Sequence, residues 1–93
     1  MAKEEKSLGE KAGDIMRLIT KIVKDIDQVQ LNKKDIKDVI DEAKILAELL
    51  KTVGRSELTE ECTTVLVSQL QKGEFADAKG FLKWLPRKLL KLL

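Results

Sequence analysis

The residue types that carry most enzyme chemistry are sparse in this sequence. It contains no histidine, the commonest general base, and a single cysteine, Cys62. Without an imidazole partner, this thiol lacks the usual means of becoming a nucleophilic thiolate. Cys62 also shares one helical face with Leu58, Val65, Leu66 and Leu70, which is typical of a small core residue. The sequence therefore predicts no catalytic residue and a protein that is not an enzyme.

Carboxylates are plentiful, but their spacing does not indicate a metal site. Residues 24–35 have the outline of a calcium-binding loop that leads into a helix. Its first, third and fifth positions would be Lys24, Ile26 and Gln28, and Val29 stands where the sharp turn requires glycine. Zinc would find one thiol and no imidazole. Four further acids fall mostly on the solvent side of a predicted helix: Asp38, Asp41, Glu42 and Glu48. We expect no metal and no cofactor.

The C-terminal segment, residues 78–93, carries the strongest functional signal. From Ala78 onward it contains five basic residues and no acid. On a helical projection, an apolar arc of about 120° holds Phe81, Leu82, Leu85, Leu89, Leu92 and Leu93. The opposite side holds Lys79, Lys83, Arg87 and Lys91, with Trp84 near the boundary and Leu90 as an apolar exception. The candidate binding surface comprises Lys79, Phe81, Lys83, Trp84, Arg87, Lys88 and Lys91.

This amphipathic pattern fits three roles. Such a helix can lie in an anionic membrane surface, or it can dock into a groove on a partner protein. It can also be the last helix of a bundle that buries the same arc in its own core, with its lysines in water. Nucleic acid is not expected as a partner. A helix-turn-helix across Gly54 would direct Glu57, Glu60 and Glu61 at phosphates, which is electrostatically unfavourable.

Three segments before this tail have the apolar periodicity of helices. The first is predicted over Ser7–Val29, with Ser7 as N-cap and an apolar residue every three or four positions: Leu8, Ala12, Ile15, Ile19, Ile22, Ile26 and Val29. The second is predicted over Lys33–Val53, with Asn32 as N-cap and Gly54 as a left-handed C-terminal cap.

The third helix is predicted to begin at Ser56 or Thr59 and to end at Gly73. Residues 63–67 are rich in β-branched side chains, so a short strand is the alternative there. The acidic first turn favours a helix. A fourth helix should begin within residues 74–77 and reach Leu85, and Pro86 should then kink or break it.

Together these segments predict one all-α domain over residues 1–93, a compact bundle of about four helices. Helices 1 and 2 should form an antiparallel hairpin, because a short turn joins them. Residues 1–6 should be frayed. The core should include Ile22, Ile26, Ile40, Leu46, Leu50 and Leu66. As an alternative, the heptad-like seam of helix 1 could pair with a second copy of the chain.

These features indicate no known family, because many unrelated proteins share heptad spacing. We expect a non-enzymatic protein-interaction module, a small adaptor or regulator that binds another protein or a second copy of itself. The alternative is a peripheral membrane protein that acts through the basic C-terminal helix. The longest uninterrupted apolar runs are three residues, so neither a signal peptide nor a membrane span is predicted. A cytoplasmic location is expected, with leaderless export left open.

Overall fold

The described part of the chain is an all-α bundle of four helices without a strand. The computed structural model describes the backbone of residues 8–92 and the side chains of residues 9–89. Helix α1 spans Leu8–Gln30 and α2 spans Ile36–Thr52. Helix α3 covers residues 56–71, and α4 spans Phe75–Leu92. The predicted fold class is confirmed. Ser7, the predicted N-cap of helix 1, and residues 1–6 lie outside the described residues.

Three helices end in the same way. After α2, Gly54 adopts a φ of 76°, its N–H bonds to the carbonyl of Lys51, and the N–H of Arg55 bonds to the carbonyl of Leu50. Gly73, with a φ of 75°, ends α3 through the equivalent pair of bonds. Both bond pairs form the Schellman motif, in which a left-handed residue satisfies the last carbonyls of a helix. The predicted cap at Gly54 is confirmed.

Asn32 ends α1 rather than beginning α2, which corrects the sequence prediction. Its φ is 59°, and Asn32 and Lys33 donate to the carbonyls of Val29 and Gln28, so asparagine takes the place that glycine holds elsewhere. The N-cap of α2 is Asp35, whose carboxylate accepts the N–H of Lys37 at 3.0 Å. Helix α2 therefore begins at Ile36, three residues later than predicted.

Helix α3 begins at Ser56 and contains a π-helical turn. Two α-helical stretches, Ser56–Glu61 and Val67–Gln71, flank the π-helical Cys62–Leu66. Within it the N–H of Val67 reaches the carbonyl of Cys62, five residues back. The hydroxyls of Thr63 and Thr64 both donate to the carbonyl of Glu60, and such side-chain bonds compete with the regular helical pattern. The strand alternative for residues 63–67 is wrong.

Helix α4 continues through Pro86 to Leu92, so the predicted break does not occur. Proline lacks one backbone donor, but the helix on both sides of it packs against the core through Leu82, Leu85 and Leu89. This packing keeps the residues on both sides of Pro86 helical, although proline itself disfavours a helix at this position. A kink at Pro86 stays a prediction.

The core lies between the apolar faces of all four helices. Of the six predicted core residues, five are fully buried, namely Ile22, Ile26, Leu46, Leu50 and Leu66. Ile40 is only partly buried, because it lies at the edge of the apolar stripe of α2. The seam of α1 from Ile15 to Ile26 is also buried inside the chain. This part of the seam therefore covers the domain's own core and is not a free face for a second copy.

Candidate protein-binding surface

The apolar arc of α4 is part of the core as far as its side chains are described. Ala78, Leu82 and Leu85 are fully buried, and Leu89 is 1% exposed. Helix α4 packs against α1 and the last turns of α3. These leucines cannot enter a membrane or a partner's groove without unfolding the bundle. The side chains of residues 90–93, including Lys91, lie outside the described residues.

Trp84 marks the part of α4 that remains on the surface. Its side chain is 39% exposed. The ring of Phe81, one turn earlier, lies 5.6 Å from it between centroids at an angle of 44°, a favourable tilted arrangement. On the next turn the Lys88 ammonium lies 5.7 Å from the centroid of the indole, within the range of a cation–π contact. The indole is therefore held in one orientation while part of it faces solvent.

Two exposed cations, Lys83 and Arg87, flank this indole on its other side. Within the part of the chain whose side chains are described, neither forms an ion pair. Phe81, Lys83, Trp84, Arg87 and Lys88 form a continuous aromatic and basic surface on α4, which we call the Trp84 face. Five of the seven residues predicted as a binding surface are thus brought together.

Lys79 does not belong to the Trp84 face. Its ammonium pairs with the carboxylate of Asp27 on α1, so this cation fastens α4 to the bundle. In the helical projection Lys79 lies on the far side of the apolar stripe from Trp84, beside α1. Lys79 therefore lies apart from the Trp84 face, and its role as a binding residue stays a prediction.

A second candidate surface, which the sequence analysis missed, lies between α2 and α3. An open groove of about 400 Å³ is lined by Lys44, Ile45, Ala47, Glu48, Thr59 and Thr63. We call it the Ile45 groove, because Ile45 is 54% exposed at its edge. Ile45 does not fit the spacing of three and four residues that the buried apolar residues of α2 follow. A large aliphatic residue outside that spacing is the sequence signal that could have indicated this groove.

One hydrogen bond joins α2 and α3 at the Ile45 groove. The hydroxyl of Thr59 lies 3.2 Å from the carbonyl oxygen of Ala47 on α2 and 3.1 Å from that of Arg55, the residue before α3. Thr63, one turn later, bonds back to the carbonyls of Thr59 and Glu60 at the start of the π-helical turn. The bond from Thr59 to Ala47 therefore links the two walls of the groove, and the bonds of Thr63 stay within α3.

The partly buried carboxylates and the Cys62 thiol lie away from the two surfaces. Asp25 and Glu42 lie together between α1 and α2, where Lys21 and Lys34 pair with both carboxylates. Burial raises the pKa of the Cys62 thiol to about 12, and the nearby charge of Glu61 adds to the effect. A thiol that stays protonated is a poor nucleophile, which agrees with a core role for Cys62.

Among residues 9–89 no three potential ligands are grouped closely enough to hold a metal ion. Over the described helices, none combines the length and apolar character needed to cross a bilayer. No protein-family model, curated protein or solved structure matches the chain. The assignment of a function therefore rests on the two surfaces alone.

Proposed function

We propose that this protein is a non-enzymatic interaction module that binds a protein partner through the Trp84 face. The observation that carries the proposal is the exposure of Trp84 between Phe81 and Lys88, on a helix whose leucines at 82, 85 and 89 are buried. Tryptophan and arginine are the residues most enriched among those that dominate binding energy in protein interfaces. An indole already oriented by its neighbours loses little further conformational entropy on binding.

The charge of the Trp84 face specifies the chemistry of the partner. Lys83, Arg87 and Lys88 surround the indole, and the sequence has no acid after Asp77 to offset them. A complementary partner therefore presents carboxylates around an apolar contact for the indole. Such charges mainly raise the rate of encounter and the specificity, and their effect decreases as salt screens them.

Contact with an anionic membrane surface is the second candidate, because Trp84 stands among three cations. Tryptophan is enriched at membrane interfaces, and each basic residue near an anionic surface adds about 1 kcal/mol of attraction. Among the side chains of α4 that the structure describes, however, the insertable area comes from Trp84 and the exposed part of Phe81, since Leu82, Leu85 and Leu89 lie in the core. A protein partner is favoured because interfacial helices normally insert a whole apolar face.

Two probes separate these candidates, with Trp84 as the reporter because it is the single tryptophan. The first is a synthetic amphipathic helical peptide of glutamate and leucine, and the second is vesicles with and without phosphatidylserine. Binding of the peptide should shift the Trp84 emission to shorter wavelength, and higher salt should weaken it. Arg87→Glu should abolish the shift. Lys24→Glu, the same charge change at an exposed position of α1, should leave it intact.

A shift with anionic vesicles but not with the peptide would assign the face to membranes. If neither probe shifts the emission at about 1 mM, where even weak contacts are occupied, the proposal is wrong.

A further inference from the structure

The Trp84 face and the Ile45 groove could fit one another. The first exposes part of an indole on α4, and the second is an open recess of about 400 Å³, within the usual range of roughly 300–1,000 Å³ for small binding sites. Ile45 and Ala47 offer the groove an apolar lining, while Thr59 and Thr63 supply methyl groups and bound hydroxyls. An aromatic ring is the kind of side chain that such a lining accommodates.

The two surfaces also have opposite charge. Asp41 and Glu48 lie one turn before and after Ile45 on the same side of α2, and Glu60 lies between Thr59 and Thr63 on α3. All three acids are exposed. Within the lining Lys44 balances Glu48, so the acidic excess comes from Asp41 and Glu60 beside the groove. The groove is thus an apolar recess with acids beside it, whereas the Trp84 face is an indole with the cations Lys83, Arg87 and Lys88 beside it.

One chain cannot bring these two surfaces together. Helix α4 packs on α1 and the last turns of α3, whereas the groove is formed by the middle of α2 and the first half of α3. Both surfaces are therefore open on the same folded chain. A second copy offers each surface the complement that its own chain cannot supply.

We propose that the Trp84 face of one copy docks into the Ile45 groove of the next, in a head-to-tail contact. This inference rests on the proposed function and names a second copy of the chain as the partner. Because the two surfaces differ, every contact leaves one free face and one free groove, so association continues into an open chain or closes as a ring. The contact is small, so self-association is concentration-dependent and falls as salt is raised.

The test is sedimentation of the full chain over a range of protein and salt concentrations, with two single variants. Trp84→Ala removes the projecting ring, and Ile45→Lys fills the groove edge and adds a repelling charge. Each variant alone should be monomeric, with association weakened by about 30-fold or more, as for a central interface residue. Both sites are exposed, so circular dichroism and thermal unfolding should show folded variants.

Mixing the two variants gives the decisive result. The Ile45→Lys copy still has its indole, and the Trp84→Ala copy still has its groove, so an equimolar mixture should form dimers and nothing larger. The one remaining tryptophan should then shift its emission to shorter wavelength. Lys44→Glu, which makes the rim of the groove more acidic, should strengthen association of the otherwise unchanged chain. Leu31→Lys, at another exposed aliphatic residue, is the matched control and should change nothing.

A mixture that remains monomeric would overturn the head-to-tail contact. Association that depends on Trp84 but not on Ile45 would also overturn it, while leaving the Trp84 face as a binding surface. If the chain is monomeric at every protein and salt concentration, self-association is overturned. The peptide and vesicle measurements then decide the proposed function separately.

Discussion

Asp25 on α1 and Glu42 on α2 share the same two lysines. The ammonium of Lys34 lies 3.2 Å from Oδ2 of Asp25 and 4.0 Å from Oε2 of Glu42, and Lys21 pairs with both of these oxygens. The other carboxyl oxygen of Glu42, Oε1, is buried and accepts no hydrogen bond from the described residues. The cluster joins α1, the turn and α2, and its two acids should respond to pH in opposite directions.

Glu42 should make the fold less stable as pH rises. Burial raises the pKa of Glu42, Lys21 lowers it, and the hydrogen bond with Asp25 raises it, with an upward net shift from the ordinary 4.5. A raised folded pKa contributes stability below pH 4.5 that is lost as pH rises through the folded value. As pH rises through this range, the free energy of unfolding of Glu42→Gln should therefore increase relative to that of the unchanged protein. Urea unfolding at a series of pH values measures this. A constant difference across the window would contradict the prediction.

Asp25 should act in the opposite direction. Burial pushes the pKa of Asp25 upward, but hydrogen bonds with Glu42, Lys21 and Lys34 hold it below its ordinary 3.8. Its ionised form therefore stabilises the fold above pH 3.8, and this contribution is lost as pH falls through the folded pKa. Asp25→Asn should destabilise the protein at neutral pH, and the deficit should shrink in acid. Urea unfolding at the same series of pH values tests this prediction. A loss of stability in Asp25→Asn that grows in acid would refute it.

Gly80 and Gly54 provide a matched pair of glycine-to-alanine substitutions. An added Cβ would meet no atom within 4 Å at either position. Gly80 lies inside α4, so Gly80→Ala should stabilise the protein by up to about 1 kcal/mol through helix propensity. Gly54 has a φ of 76°, so Gly54→Ala should cost roughly 1–2 kcal/mol. Thermal unfolding should show midpoints that move in opposite directions. Shifts of the same sign would mean that backbone conformation does not decide the outcome.

Leu89 tests whether the segment after Pro86 belongs to the core. Leu89→Ala should cost about 2–5 kcal/mol, because the side chain is buried and its removal leaves a cavity. Arg87→Ala, at an exposed position two residues earlier, should change stability by less than about 0.5 kcal/mol. Deletion of residues 87–93 should destabilise the whole domain for the same reason. Wild-type stability in the Leu89 variant or the truncated chain would show that this segment is dispensable.

Cys62 should report opening of α3. Its thiol is buried and its pKa is raised to about 12, so a thiol reagent at pH 8 should label the folded protein far more slowly than the urea-unfolded chain. Labelling in low urea should accelerate in parallel with unfolding. Rapid labelling of the folded chain would mean that the π-helical turn opens on its own.

The spacing of apolar residues predicted the helices well because their signals are local. Ile15, Ile19, Ile22 and Ile26 repeat at the helical period, and the structure buries all four. Gly54 and Gly73 marked helix ends, because glycine readily takes the left-handed conformation that a Schellman motif needs. Asn32 was misassigned, since asparagine can either begin a helix or end one. The hydrogen bonds around it distinguish the two roles.

Sequence by itself determined the helical class of this protein, its principal turns and the amphipathic character of the last helix. Only the tertiary structure decided which amphipathic surfaces remain available. It buried Leu82, Leu85 and Leu89, left Trp84 at the edge, and used Lys79 to bind Asp27 on a helix far away in sequence. Periodicity shows that a helix has an apolar face. What covers that face depends on packing between distant segments, which no local pattern contains.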